Sequence, residues 1–220
     1  MGLSNQIPSS RIAQAGVCTS TTRPTSPYEG QVIYETDTNR VLVWDASAWV
    51  MIADTDQPPG LQLVKTQTIG SGVASVTVSD AFSSEWDAYK ITVAGGAASG
   101  TTYVNFRVGT SGGVDAGSVY QQSFLYTTLT NTAAGLGNTS GDFKYAGTAD
   151  STGISVNLEA VSPYLATRTF LSAIAAAQGS FAGHSTGLVN TTTQYTHFTL
   201  YPNSGTFTGG TIRVYGFRNS

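Results

Sequence analysis

Apolar and polar residues alternate in short blocks through much of this chain, and the blocks have strand length, not helix length. The densest set is SPYEGQVIYETDTNRVLVWDASAWVMI, residues 26–52. It predicts three strands, Gln31–Thr36, Val41–Asp45 and Ala48–Ile52, with turns at Asp37–Arg40 and Ala46–Ser47. A meander this small buries too little apolar surface to be stable alone in water. Yet it carries Val32, Ile33, Tyr34, Val41, Leu42, Val43, Trp44, Trp49, Val50, Met51 and Ile52. These side chains need a covering surface, supplied by the rest of the chain or by more copies of it. The segment reads as an assembly element.

Further strands are predicted at Leu61–Ile69, Val73–Val78, Tyr89–Ala94, Tyr103–Val108, Ser118–Tyr126, Gly153–Ala160, Arg168–Ile174, Thr196–Tyr201 and Thr211–Phe217. Ile212 and Val214 share one face, opposite Arg213, Tyr215 and Phe217. Ile154, Val156 and Leu158 alternate with polar neighbours. Gly95-Gly96, Gly112-Gly113 and Gly209-Gly210 mark turns. The alanines of FLSAIAAAQ favour helix, but a lone helix would break the surrounding pattern, so a strand is expected there.

Residues 1–27 show no sustained period, and Pro8, Pro24 and Pro27 favour an extended path. Such an arm becomes ordered only by lying against something; a neighbouring subunit or larger assembly is expected, and folding back on its own domain is the alternative. Gln57-Pro58-Pro59-Gly60 cannot sit inside a strand ladder. The expected division is therefore an extended docking arm (1–27), a three-stranded β-meander (28–56), a Pro/Gly linker (57–60) and a β-sandwich (61–220). The fold class is all-β, and evenly spaced strands suggest a jelly-roll-like sandwich.

Charged residues make up only 10% of the 220 residues, against roughly 25% in ordinary soluble proteins, so neutral Ser, Thr, Asn and Gly dominate the polar surface. A 40% hydrophobic content argues against disorder. The ten basic residues are scattered and the net charge is -3, which argues against a nucleic-acid partner. No apolar run reaches the ~20 residues needed to span a bilayer, and no secretory leader is expected from the first residues. The lone Cys18 forms no intrachain disulfide.

No catalytic constellation emerges, so no enzyme activity, cofactor or metal is expected. Glu85 and Asp87 flank Trp86, which invites a two-carboxylate glycosidase reading; a polar turn before a strand accounts better for SSEWDAY. His184 and His197 lack metal-ligand spacing. Cys18 has no local base. Saccharide recognition is the one small-molecule site worth testing, because sugars stack on exposed aromatic faces among neutral hydrogen-bonding groups. Tyr120, Tyr126, Tyr145 and Tyr164 lie near Gln, Asn, Ser and Thr and are the candidate glycan-facing residues. Packing in the sandwich or between subunits is the alternative for the same tyrosines.

The run Arg23-Pro24-Thr25-Ser26-Pro27 followed by EGQVIYETDTNRVLVWDASAWV resembles a segment near the N-termini of bacteriophage fibre, tail and head-decoration proteins. EWDAYKITV, FRVGTSGG and YTHFTLYPNSGTFTGGTIRVYGFR are similar to β-sandwich domains at the C-terminal ends of phage tail and fibre proteins. The resemblance implies a non-enzymatic virion surface protein, assembled in the host cytoplasm and carried on the particle. It implies a homotrimer docking on capsid or tail proteins through its arm, with Arg23, Pro24, Pro27, Tyr34, Trp44 and Trp49 as the assembly residues. A capsid decoration, cement or head-fibre protein is the leading expectation. A short tail fibre that adheres to host surface glycan is the alternative, and a polysaccharide-degrading tailspike, which needs carboxylates the chain does not group, comes third.

Overall fold

This computed structural model describes residues 16–54, 60–177 and 180–218. It is all-β, with no helix among the described residues. The chain divides into two compact units, Met1–Pro59 and Gly60–Ser220. Residues 1–15 of the expected arm, and residues 55–59 spanning the end of the expected meander and most of the linker, lie outside the described residues.

In the first unit, β1 (Gly16–Cys18), β2 (Val32–Glu35), β3 (Arg40–Trp44) and β4 (Trp49–Asp54) form one sheet in the order β1-β2-β3-β4. The three expected strands are present. β1 is an addition: it falls inside the expected arm and pairs in parallel with β2, Val17 opposite Tyr34. Three residues carry no readable period, so the pattern gave no warning of it. The β3–β4 turn is held by the Asp45 carboxylate, which accepts the Ser47 and Ala48 backbone N–H groups at 2.8 and 2.7 Å. This is an Asx-type turn.

The two faces of this sheet differ. On one, the cross-strand partners Ile33 and Leu42 are buried. Glu35 shares that face, fully buried, and receives the Arg23 guanidinium and the Thr38 hydroxyl. The other face presents Val17, Val32, Tyr34, Val41, Val43 and Val50, each half-exposed or exposed and aligned by the register of all four strands.

The second unit contains β5 (Leu61–Thr68), β6 (Val76–Val78), β7 (Trp86–Ala94), β8 (Ala97–Ala98), β9 (Thr102–Thr110), β10 (Gly113–Val114), β11 (Tyr120–Thr128) and β12 (Ala133–Ser140). It continues with β13 (Phe143–Asp150), β14 (Gly153–Val161), β15 (Thr169–Ala177), β16 (Phe181–Val189), β17 (His197–Pro202), β18 (Phe207–Thr208) and β19 (Thr211–Arg218). Two four-stranded layers form its centre, β5-β19-β7-β14 and β6-β17-β9-β13. The β13–β14 hairpin joins them. Between them lies a continuous core that includes Tyr89, Ile91, Phe106, Phe143, Leu158, Phe198, Leu200, Ile212 and Val214. Alternation in β7, β14 and β19 puts the apolar set inside.

The first layer extends past β14 through β15, β16, β11 and β12. These four strands come from two insertions, one between β9 and β13, the other between β14 and β17. FLSAIAAA lies within strand β15, as expected. Three long strands were not expected. β12 is an exposed edge with no inward period. β13 shifts register between Phe143 and Gly147. β16 carries Gly183 and Gly187 at inward positions, where a Cβ would meet the backbone oxygen of Leu125 or Gln121 within 2.5 Å. Two of the expected strand starts also move. Only Val76–Val78 of the stretch 73–78 is a strand, and β7 begins at Trp86, whose ring packs on Gly216.

Candidate functional site

The site grows from an irregularity in β13. Phe143 pairs with Phe106 of β9, and the next pair is Gly147 with Val104, so two extra residues are accommodated on β13. Tyr145, inside that irregularity, has φ 57°, the left-handed region that costs a residue with a Cβ roughly 1–2 kcal/mol. Such strain persists only where surrounding contacts over-determine it. Here they do: the Tyr145 ring lies flat on Phe124 of β11, centroids 4.5 Å apart at 11°, and meets Tyr103 of β9 edge-on at 4.5 Å. Phe124 in turn stacks on Tyr126 at 5.1 Å and meets Phe181 edge-on at 5.4 Å. This aromatic group, with Ala175, is a second small core beneath the inserted strands. Burial pushes the Tyr145 hydroxyl above its ordinary pKa.

Beside this group a cleft of about 250 Å³ opens between β11, β12 and β13. Phe124, Tyr145 and Leu136 form its apolar lining; Gln122, Asn138 and Lys144 form its polar lining, with Gly137 between. The amides are held in one orientation by a chain of hydrogen bonds. The Lys144 backbone N–H donates to Gln122 Oε1 at 2.7 Å, which fixes that atom as the oxygen. Gln122 Nε2 then donates to Asn138 Oδ1 at 2.7 Å. Asn138 is thereby left with its NH₂ turned away from Gln122. The Lys144 backbone is held from the other side too, since its carbonyl accepts the Ser185 hydroxyl at 3.2 Å. The Lys144 ammonium makes no ion pair among the described residues. The side-chain N–H groups left free to bind are therefore those of Asn138 and Lys144.

Behind the cleft, Asp142 is already engaged. It accepts the Tyr201 hydroxyl on Oδ2 and the Ser140 hydroxyl on Oδ1 at 3.0 Å. Arg107 lies over the Tyr201 ring at 4.8 Å and donates to the Gly141 carbonyl. Burial, then the adjacent carboxylate, pushes the Tyr201 hydroxyl well above its ordinary pKa. A carboxylate spent in this way fixes the Ser140–Lys144 turn and is poorly placed to act as a base.

Of the four tyrosines proposed from sequence, one reaches the cleft. Tyr145 lines it. Tyr126 sits in the aromatic group next to Phe124 and Phe181. Tyr164 packs against the main core. Tyr120 requires a correction: it is 0% exposed and faces no ligand. Its hydroxyl accepts the Val108 N–H at 3.0 Å and donates to the Asp115 carbonyl at 2.9 Å, tying two strands together.

The six residues expected to serve assembly lie in the first unit, half-buried. Arg23 is spent on Glu35 inside the unit. Tyr34 donates to Asn39 Oδ1 at 2.8 Å. Trp44 and Trp49 meet edge-on at 5.5 Å. Pro24 and Pro27 lie in the connection between β1 and β2. Glu85 and Asp87 are both exposed, on either side of the buried Trp86. His184 pairs with the Ser172 hydroxyl at 3.0 Å and His197 with the Thr196 hydroxyl at 2.6 Å, on separate strands. No group of three or more His, Cys, Asp or Glu side chains is placed to hold a metal among the described residues.

The sequence reading missed Gln122, Phe124, Leu136, Asn138 and Lys144. One signal was there to find: Gln122 and Asn138 are equidistant from the turn at Leu129–Asn131, so a β11–β12 hairpin pairs them. No protein-family model, curated protein or solved structure matches the chain.

Proposed function

We propose that this chain is a non-enzymatic phage virion surface protein, a homotrimer that docks on the particle through its N-terminal unit and displays the sandwich. The observation that carries this reading is the partly exposed apolar face of the first sheet: Val17, Val32, Tyr34, Val41, Val43 and Val50. Fully covering a side chain of this kind is worth roughly 1.5–3 kcal/mol. The unit itself buries only Ile33 and Leu42 among its described large apolar residues, so assembly supplies the rest of its core. Edge strand β4 adds exposed Met51 and Ile52. The homotrimer draws support from the sandwich as well. One row across the outer face of its large layer reads Leu61, Phe217, Ala88, Val161, Phe170, Leu188 over six neighbouring strands. The eight central strands, taken in chain order, run 1-8-3-6 in one layer and 2-7-4-5 in the other, which supports a jelly-roll reading of the displayed domain.

On this reading the protein is a capsid decoration, cement or head-fibre protein. A second reading, a short tail fibre that binds host glycan, is favoured by the cleft at Tyr145. Copy number per purified virion, measured by quantitative mass spectrometry against the major capsid protein, separates them: hundreds for a lattice decoration, a small multiple of three for a tail fibre. Sedimentation tests the oligomer. A trimer at micromolar concentration that Val43→Asp dissociates is the expected result; a wild-type monomer overturns it. Absence of the protein from purified virions overturns both readings.

A further inference from the structure

The cleft between β11, β12 and β13 combines an apolar lining with a polar one whose unengaged N–H groups lie on Asn138 and Lys144. Gln122 spends its oxygen on the Lys144 N–H and its NH₂ on Asn138. What remains is the Asn138 NH₂ and the Lys144 ammonium, each without an acceptor among the described residues. Donors of this kind call for a ligand rich in acceptors, and an unpaired ammonium calls for an anion. Tyr145, Phe124 and Leu136 call for a ring with a C–H face. Leu136 is 48% exposed at the rim, so it is available to such a ring. The volume, about 250 Å³, lies below the roughly 300–1,000 Å³ of sites for drug-sized ligands, so the cleft takes one small ring, not a chain of them. The left-handed backbone at Tyr145, a strained conformation, brings Tyr145 and its neighbour Lys144 to line one cleft.

We propose that this cleft binds one carboxylated pyranose of a host surface polysaccharide. The carboxylate sits on Lys144 Nζ, ring hydroxyls accept from Asn138 Nδ2, and the C–H face lies on Tyr145 and Leu136. The proposal deepens the host-glycan reading of the sandwich and rests on it.

Saturation-transfer NMR on the full-length protein tests it with three probes: glucuronic acid, which has ring and carboxylate; glucose, the ring alone; and acetate, the carboxylate alone. Glucuronic acid is expected to bind saturably, with glucose and acetate each about tenfold weaker, the loss expected for one charge-assisted contact or for the ring's apolar contact. Lys144→Met keeps the backbone N–H that holds Gln122 and is expected to reduce glucuronic acid binding to the level of glucose. Asn138→Asp, on an exposed edge strand, sets a carboxylate against the ligand's and is expected to abolish binding, with the melting temperature confirming the fold of both variants. Equal binding of glucose and glucuronic acid, equal binding of acetate and glucuronic acid, or unchanged binding by Lys144→Met overturns the proposal. If glucuronic acid fails while the protein still binds neutral host polysaccharide, the proposal falls and the adhesin reading stands; if no saccharide binds, both fall.

Discussion

Tyr145 offers a test in which two effects of opposite sign are separable. Truncation to Ala removes a flat contact with Phe124 and an edge contact with Tyr103, both at 4.5 Å between centroids. Each aromatic pair is worth about 0.5–1.5 kcal/mol beyond area burial. Loss of the half-buried ring itself adds about 0.75–1.5 kcal/mol, half the value for a fully buried large side chain. Tyr145→Ala should therefore destabilise the sandwich by roughly 2–4.5 kcal/mol. The backbone, however, stays at φ 57° in that variant and keeps its strain.

Replacement by Gly removes the same contacts and also releases the strain. In ordinary strand or helix positions Gly is worse than Ala by roughly 0.5–1 kcal/mol. At this position the left-handed penalty of roughly 1–2 kcal/mol disappears, so the order inverts. Tyr145→Gly should be more stable than Tyr145→Ala by about 0.5–1 kcal/mol. Urea unfolding of the full chain, followed by far-UV circular dichroism, reads both values as midpoint shifts at constant slope. A Gly variant less stable than the Ala variant, at equal slope, refutes the claim that the backbone at Tyr145 is strained and held by its ring contacts.

Three further outcomes follow from named contacts. Gly216→Ala places a Cβ 2.3 Å from the Trp86 ring and should cost about 1–3 kcal/mol by overpacking; a midpoint within error of wild type in the same urea assay refutes it. Tyr120→Phe leaves the buried Val108 N–H without its side-chain acceptor and should cost about 1–3 kcal/mol, with faster amide exchange along β9. Glu35 has a pKa held below the usual carboxylate range, first by the Arg23 guanidinium and then by the Thr38 hydroxyl. Because the folded value is the lower one, the pair's contribution is complete above the unfolded pKa of about 4.3 and is lost as pH falls through the folded value. Acid titration of Trp44 and Trp49 fluorescence should show the first unit loosening below that point, and Glu35→Gln should flatten the transition; an identical acid limb in both proteins refutes the linkage.

The all-β fold was legible because its central strands alternate cleanly. Ile212 and Val214 inside, with Arg213 and Tyr215 outside, is a pattern that burial alone enforces. β15 was legible against its own alanine content, since helix propensity is a weak prior beside the surrounding strand pattern. The site was not legible, for reasons that lie in the same physics. β12 is an edge exposed on both faces, so nothing imposes a period on it. β16 uses glycines where strand β11 comes too close for a Cβ. In β13 the register shift breaks the alternation that a reader of strands relies on. Tyr120 shows the opposite failure. Its polar neighbours suggested a surface, whereas its hydroxyl satisfies buried backbone groups while its ring fills the core.

The position of the cleft follows from how the chain enlarges its sandwich. The two insertions enter at different points of the central eight strands, yet they pair with each other, β11 against β16 along nine residue pairs. Their inner side is covered by an aromatic group separate from the main core. Tyr145, on a central strand, reaches out to that group only because β13 gains two residues there. The cleft is thus lined from both parts: Tyr145 and Lys144 from the central strands, Gln122, Leu136 and Asn138 from the insertion. Substitutions on the exposed β12 side alter the cleft without touching the main core, because among the described residues β12 pairs only with β11. Substitutions at Phe124 or Tyr145 act on both the cleft and the seating of the insertions, because one stack serves both. A surface built this way can change its edge strand while the central layers keep the fold.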